Sequence, residues 1–242
     1  MRFRVDLAAS VPKDCAYPDL NEDAWAHNEE LTCIALSDGA SESFDSKTWA
    51  QLLVKRYASN HAMTPDWVAE ALSEYSSAFN FEDLTWSGQR AFDRGSFATL
   101  LGLVIGHNET DLEVLCVGDS LALLVRDGRV ISSFPFDVPE QFDARPTLLS
   151  TKGHANSLWA NSEFFQSASR TWKVEAGDII YAVTDAVGHW ILSQLTENKS
   201  IPDRLLKVRS EAEFTNLVQS MRPSREIRLD DSTVVRLIVE DE

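Results

Sequence analysis

The sequence predicts an α+β fold in which strands and helices sit in separate layers. Three observations carry this. Short apolar runs of strand length recur along the chain, for example Cys33-Ile34-Ala35-Leu36 and Ile179-Ile180-Tyr181-Ala182-Val183. Between residues 96 and 134, strand follows strand through turns too short for a crossover, which calls for antiparallel pairing. Amphipathic helical patterns come in blocks rather than alternating with strands, which argues against a doubly wound parallel sheet.

Taken in order, strands are expected near 2–9, 31–37, 96–106, 111–118, 120–126, 129–134, 171–174, 178–184 and 232–239. Gly118-Asp119-Ser120 is the hinge between the fourth and fifth of these. Asp127-Gly128 is a strong hairpin turn before the sixth. Asp45 or Ser46 can cap a helix carrying Trp49, Leu52, Leu53 and Tyr57. Thr64-Pro65 pairs an N-cap with proline at the first helical position, and Trp67, Val68, Ala71, Leu72 and Tyr75 behind it form one apolar stripe. Two further helices are expected, from Ala186 to about Leu195 and near 210–221. Residues 135–170 hold three prolines with scattered Ser and Asn and read as a long irregular excursion, of a kind often tied to function.

A chain of 242 residues fits one domain, 1–242, with ample material for a core. No stretch approaches the roughly 20 apolar residues of a membrane span, and the start of the chain alternates like a strand rather than a leader, so a cytoplasmic location is expected. The net charge of −16 disfavours nucleic acid and anionic membranes as partners, since both are bound through Lys and Arg. Cys33 and Cys116 lie inside apolar runs and read as core thiols. Three cysteines without close spacing give neither a disulfide framework nor a cysteine zinc site. The histidines, His107 among them, show no metal-ligand spacing, although His189 falls one turn after Asp185. The tryptophans read as packing residues, with Trp159 a candidate for a substrate surface.

The most informative feature is a set of aspartates where apolar runs begin or end. Asp38, Asp119 and Asp185 each follow such a run; Asp23 and Asp230 stand just before one. Aspartate is common in turns for its own local hydrogen bonds, so each alone is weak. Together, at strand ends, they can converge at one edge of a sheet, and converging carboxylates suit hard cations.

The segments Asn21-Glu22-Asp23-Ala24, Ser37-Asp38-Gly39-Ala40, Gly95-Ser96-Phe97-Ala98-Thr99, Val117-Gly118-Asp119-Ser120, Thr184-Asp185-Ala186 and Asp230-Asp231-Ser232-Thr233-Val234-Val235 resemble, in order, the motifs of the PPM (type 2C) metal-dependent serine/threonine protein phosphatases. The resemblance spans residues 21 to 235. It implies a four-layer αββα sandwich of two antiparallel sheets flanked by helices, and a centre of two Mg or Mn ions at one end. By position, Asp38 would bridge both ions and the Gly39 carbonyl would bind one. Asp23, Asp185 and Asp230 or Asp231 would complete the set, with Asp230 favoured by register with Thr233. Asp119 matches a position that, with Asp185, holds a third and weaker ion in bacterial members. Glu22 would orient a water, so the catalytic set is Asp38, Glu22 and Asp185. The implied substrate is a phosphorylated protein, hydrolysed at phosphoserine or phosphothreonine.

Several positions depart from the pattern. The family's phosphate-gripping arginine is replaced by Pro18, with Lys13 or Arg94 as candidates to take its place. A histidine that follows Asp-Gly in eukaryotic members is Ala40, which favours substrates with good leaving groups. A weakly active binding module and a small-molecule phosphoesterase therefore stand as alternatives.

Overall fold

The apolar runs form strands, and alternation along them gives each sheet two packed faces. The structure, a computed structural model, describes every residue except Glu42, His107, Glu109, Asn161, residues 196–199 and Glu242, and every side chain but those of residues 157–160, 162 and 165 as well. The readings of His107 and of the Trp159 side chain thus lie outside the described residues. The strands are β1 (Arg2–Val11), β2 (Ala24–His27), β3 (Cys33–Ser37), β4 (Phe97–Ala98), β5 (Leu100–Ile105), β6 (Asp111–Val117), β7 (Leu121–Arg126), β8 (Arg129–Phe134), β9 (Leu149–Ser150), β10 (Ser169–Lys173), β11 (Ile179–Val183) and β12 (Ser232–Glu240). The α-helices are α1 (Ser46–Ser59), α2 (Pro65–Ser77), α3 (Trp86–Arg94), α4 (Ser162–Ser167), α5 (Asp185–Gln194), α6 (Asp203–Leu206) and α7 (Glu211–Met221).

One antiparallel sheet runs β1-β12-β11-β7-β8 and the other β10-β6-β5-β3-β2, with β4 and β9 forming a short separate ribbon. Ile34, Leu36, Leu101, Leu103 and Val114 of one sheet meet Ala122, Leu124, Ile180, Ala182 and Val235 of the other in a shared core. The intervening residues point outward. Leu121, Leu123, Tyr181 and Val183 pack on Trp190 and Ile191 of α5 and on Phe214 and Val218 of α7. Cys33, Ala35, Leu100 and Val104 pack under Trp49 and Leu53 of α1 and Trp67, Ala71 and Tyr75 of α2. The result is the expected αββα sandwich, with period-two alternation deciding which core each strand residue joins.

The expected caps form: Asp45 accepts from the Thr48 N–H at 2.9 Å and Thr64 from the Trp67 N–H at 3.2 Å. Ser210, for which no cap was expected, accepts from the Glu213 N–H at 3.3 Å. Cys33 and Cys116 are free and buried, and burial pushes the Cys33 thiol up to about 12, which makes it a packing group rather than a nucleophile. Among the described residues no helix is long and apolar enough to cross a membrane.

Three expectations are corrected, and two elements appear that the sequence did not announce. The strand expected over 96–106 breaks at Thr99, whose N–H donates to the Asp38 carbonyl at 2.8 Å, so β4 peels away to pair with β9. Gly118-Asp119-Ser120 does not turn a hairpin; it carries the chain from one sheet to the other. The glycine there has φ +104°, and a Cβ would lie 2.6 Å from the Thr99 side chain. The edge strand β2 has no buried residue to mark it, and α3 likewise buries none. The excursion over 135–170 contains 3₁₀ turns at Pro139–Asp143 and Gly153–Ala160, β9 and α4 rather than bare loop.

Gly102 leaves room for the ring of buried Tyr57 from α1: a Cβ there would sit 2.2 Å from that ring. Gly102→Ala is expected to lower stability by about 1–3 kcal/mol through overpacking. An unchanged urea midpoint would contradict this close approach.

Candidate active site

Antiparallel register brings the acids together. Ala24 pairs with Ser37, so Asp23 at the start of β2 and Asp38 at the end of β3 stand side by side. In the other sheet Val183 pairs with both Leu121 and Val234, which puts the end of β11 and the starts of β7 and β12 at one edge. The hinge after β6 adds Asp119 there. A hydrogen bond between the Thr99 and Ser120 hydroxyls, 2.7 Å, ties the two sheets together at this end.

Asp38, Asp119, Asp185 and Asp230 line a single pocket of about 130 Å³, together with Gly39, Ala40, Ser41, Thr99, Pro146 and Leu148. Asp23 sits behind it. Its Oδ2 accepts from the Thr233 hydroxyl at 2.6 Å and the Thr184 hydroxyl at 3.1 Å, while its buried Oδ1 has no partner. The Oδ1 of Asp185 is likewise buried and unpartnered. Gly39 is held between Glu22 and α1: a Cβ would lie 2.9 Å from the Glu22 carbonyl oxygen and from Ser46 Cβ.

The neighbouring acids Asp230 and Asp231 differ sharply. Asp231 is buried, and its two carboxylate oxygens accept from the backbone N–H groups of Lys13 and Glu22, both at 2.7 Å. Asp230 accepts from the Asp231 N–H at 2.9 Å and faces the pocket. Glu22 does not line the pocket. One of its oxygens accepts from the Ser46 hydroxyl, and the other lies 3.8 Å from Lys13 Nζ. That ammonium also donates to Ser41 at 2.6 Å. Pro18 is exposed in a 3₁₀ turn, and Ala40 forms part of the pocket wall. His189 does not line the pocket and packs edge-on to Phe142, 6.0 Å between ring centres.

Sequence reasoning assigned no role to Thr184, Thr233 or Thr99, whose hydroxyls hold the acids, nor to Arg228. Arg228 is anchored on Asp143 Oδ1 at 2.7 Å and close enough to act on Asp119 and Asp185. The threonines carried one signal: each stands inside one of the six segments that resemble the family's motifs.

Burial, then repulsion from Asp23, Asp185, Asp119 and Asp230, holds the Asp38 carboxyl well above the ordinary carboxylate range. Burial also pushes Asp23 up, against the opposing hydrogen bond from Thr233. Asp119 is raised by burial and partly restored by Arg228. Asp185 rises to about 7 through burial and repulsion from Asp119 and Asp230, countered by the Ala186 N–H and Arg228. An all-oxygen set with orphaned lone pairs and excess negative charge is chemistry that a hard divalent cation satisfies. Among the described residues, no three His, Cys, Asp or Glu side chains close on one point as a formed metal cage. The four aspartates are spread over the pocket wall instead.

No family model and no curated protein matches the sequence. Solved structures do. The photosystem II phosphatase PBCP aligns over 98% of this chain and 99% of its own, with TM-score 0.63 and 15% identity. The catalytic domain of the serine/threonine protein phosphatase PstP, solved with two manganese ions, aligns over 99% and 97% with TM-score 0.54 and 17% identity. Serine/threonine phosphatase Stp1 from Staphylococcus aureus aligns over 100% and 98% with TM-score 0.58 and 14% identity. The chain has the fold of the PPM-type phosphatases. At these identities the likeness is one of fold, and the PPM fold extends over almost the whole chain.

The charge crowding predicts an inverted pH dependence for the metal-free protein. Asp185 has a folded pKa of about 7 against 3.8 for the free group, so its contribution is fully present below pH ~4 and lost as pH rises to ~7. Asp38 and Asp23 act in the same direction. Chelated protein should therefore melt at lower temperature at pH 8 than at pH 5, and Asp185→Asn should flatten the trend. A chelated protein that gains stability over that range would contradict the arrangement.

Proposed function

We propose that this chain is a metal-dependent phosphoprotein phosphatase that hydrolyses phosphoserine or phosphothreonine. The observation that carries the reading is Asp38: a half-buried carboxylate facing four others, in a pocket whose lining has unpartnered carboxylate oxygen and no thiol or imidazole ligand. The fold shared with serine/threonine phosphatases supports it, as does PstP, which was solved with manganese.

Asp38, Asp23, Asp185, Asp230 and the Gly39 carbonyl would hold two Mg or Mn ions, and Asp119 with Asp185 a third. Bound there, the ions would lower the pKa of a water toward neutrality and screen the charge of the phosphoryl group. The chain's own residues prepare the site. The Thr233 and Thr184 hydroxyls fix one oxygen of Asp23 and leave the other buried without a partner. Asp231 fastens the backbone at Lys13 and Glu22, which sets where β2 begins and so where Asp23 stands. Between the two neighbours, Asp230 is assigned to metal and Asp231 to this fastening. Glu22, bound to Ser46, supports Gly39 from behind and acts as a positioning residue. Ala40 offers no proton to a leaving group, so an aryl phosphate, which needs none, should be turned over faster than a phosphothreonine peptide.

Release of phosphate from both substrates with Mn, abolished by chelator and by Asp38→Ala, is the expected result. No Mn-dependent release from either favours a binding module. Release from the aryl phosphate alone favours a small-molecule phosphoesterase.

Two variants separate the paired acids. Asp230→Asn should remove the rise in melting temperature on adding Mn and most of the activity, while the metal-free protein, relieved of one repelling charge, is at least as stable as wild type. Asp231→Ala leaves two backbone N–H groups without an acceptor and should lower stability by about 1–3 kcal/mol with or without metal. The reverse pattern would exchange the two roles.

A further inference from the structure

The aspartate pocket adjoins a larger cavity of about 660 Å³, and the two share Ala40, Ser41, Pro146, Leu148 and Asp230 as walls. The cations lining that cavity are Arg94, the last residue of α3, and Arg145, from the segment before β9. Both are exposed, and neither hydrogen-bonds or ion-pairs with any described residue. Arg56, Arg126, Arg204, Arg228 and Arg236 are by contrast each committed to a carboxylate. In a chain of net charge −16, two free guanidinium groups at the mouth of the acid pocket call for an anionic ligand. Lys13 is a poorer candidate: its ammonium is engaged by Ser41 and Glu22, and it lines neither cavity.

We propose that Arg94 and Arg145 form the phosphate clamp of this protein and take the dianion of a phosphate monoester through paired N–H donors. The assignment rests on the phosphatase reading for where phosphorus sits, but not on turnover. A phosphate dianion entering beside four aspartates meets repulsion, and a guanidinium offsets it while matching two phosphate oxygens at once. Arg145 also gives the 135–170 excursion a purpose, since that segment brings the second cation to the rim.

Titration calorimetry with inorganic phosphate and with a phosphothreonine peptide, each with Mn and with chelator, tests the clamp on wild-type, Arg94→Gln, Arg145→Gln, the double variant and Lys13→Met. The double variant should bind inorganic phosphate about tenfold or more weakly, at an unchanged melting temperature. Each single variant should fall between, and Lys13→Met should match wild type. Undiminished phosphate affinity in the double variant overturns the clamp, even if peptide affinity drops, because the arginines would then read flanking acidic residues. A wild-type protein that binds no phosphate overturns it too. A wild type that binds phosphate through these arginines but hydrolyses nothing removes the phosphatase reading and leaves the clamp standing.

Discussion

Asp38 is half-buried and crowded by four other carboxylates, and most of the architecture at this end of the sandwich exists to hold that unfavourable arrangement in place. Burial alone disfavours the charged form, and each neighbour adds repulsion. Left to relax, strand ends bearing like charge would splay. They do not because the charges are mounted on two sheets whose shared core, from Phe3 and Ile34 to Leu237 and Val239, fixes the strands behind them. Hydrophobic burial in the sandwich thus works against electrostatic repulsion at its rim, and the local balance is set by hydroxyls and backbone N–H groups at the boundary.

Those boundary groups form a connected set. Asn21 donates to the Ser10 hydroxyl, which lies 2.6 Å from that of Thr233, which donates in turn to Asp23. Thr184 accepts from the Thr233 N–H and donates to the same oxygen of Asp23. One face of that carboxylate is therefore saturated and the other bare, an asymmetry suited to an incoming cation. Thr99 does the corresponding work in the other sheet, accepting from the Asp38 N–H at 2.8 Å and bonding across to Ser120. A small threonine and serine cluster thus converts two sheet edges into one site.

Much of this was legible in the sequence because acids at the ends of apolar runs are a local signal. Asp38, Asp119, Asp185 and Asp230 all reach one pocket, and the first two helices begin where Asp45 and Thr64 stand. What was not legible depends on distant partners. Gly118-Asp119-Ser120 reads the same whether it turns a hairpin or crosses between sheets, and its role is decided by Thr99. Asp230 and Asp231 have identical chemistry, and what separates them is contact with the backbone of Lys13 and Glu22, more than 200 residues away in sequence. The edge strand β2 and the surface helix α3 bury no side chain fully, so no apolar period announced them. Arg145 lay in a segment without periodicity, and its position follows from how that segment packs against the rim.

The departures at Pro18 and Ala40 take on a different meaning beside this geometry. Pro18 belongs to an exposed turn and does not line the pocket. Positive charge enters instead from three other directions: Arg228, anchored on Asp143, and Arg94 and Arg145 across the larger cavity. Arg228 already moderates Asp119 and Asp185, and its side chain is committed. Arg94 and Arg145 are not. A site with surplus negative charge and two uncommitted guanidinium groups at its rim is electrostatically prepared for a ligand that is itself anionic, provided cations occupy the space between. On the proposed reading, acids would lie innermost, divalent cations next and guanidinium groups outermost, and the cation absent at Pro18 would be supplied by Arg94 and Arg145 from other elements of the same fold.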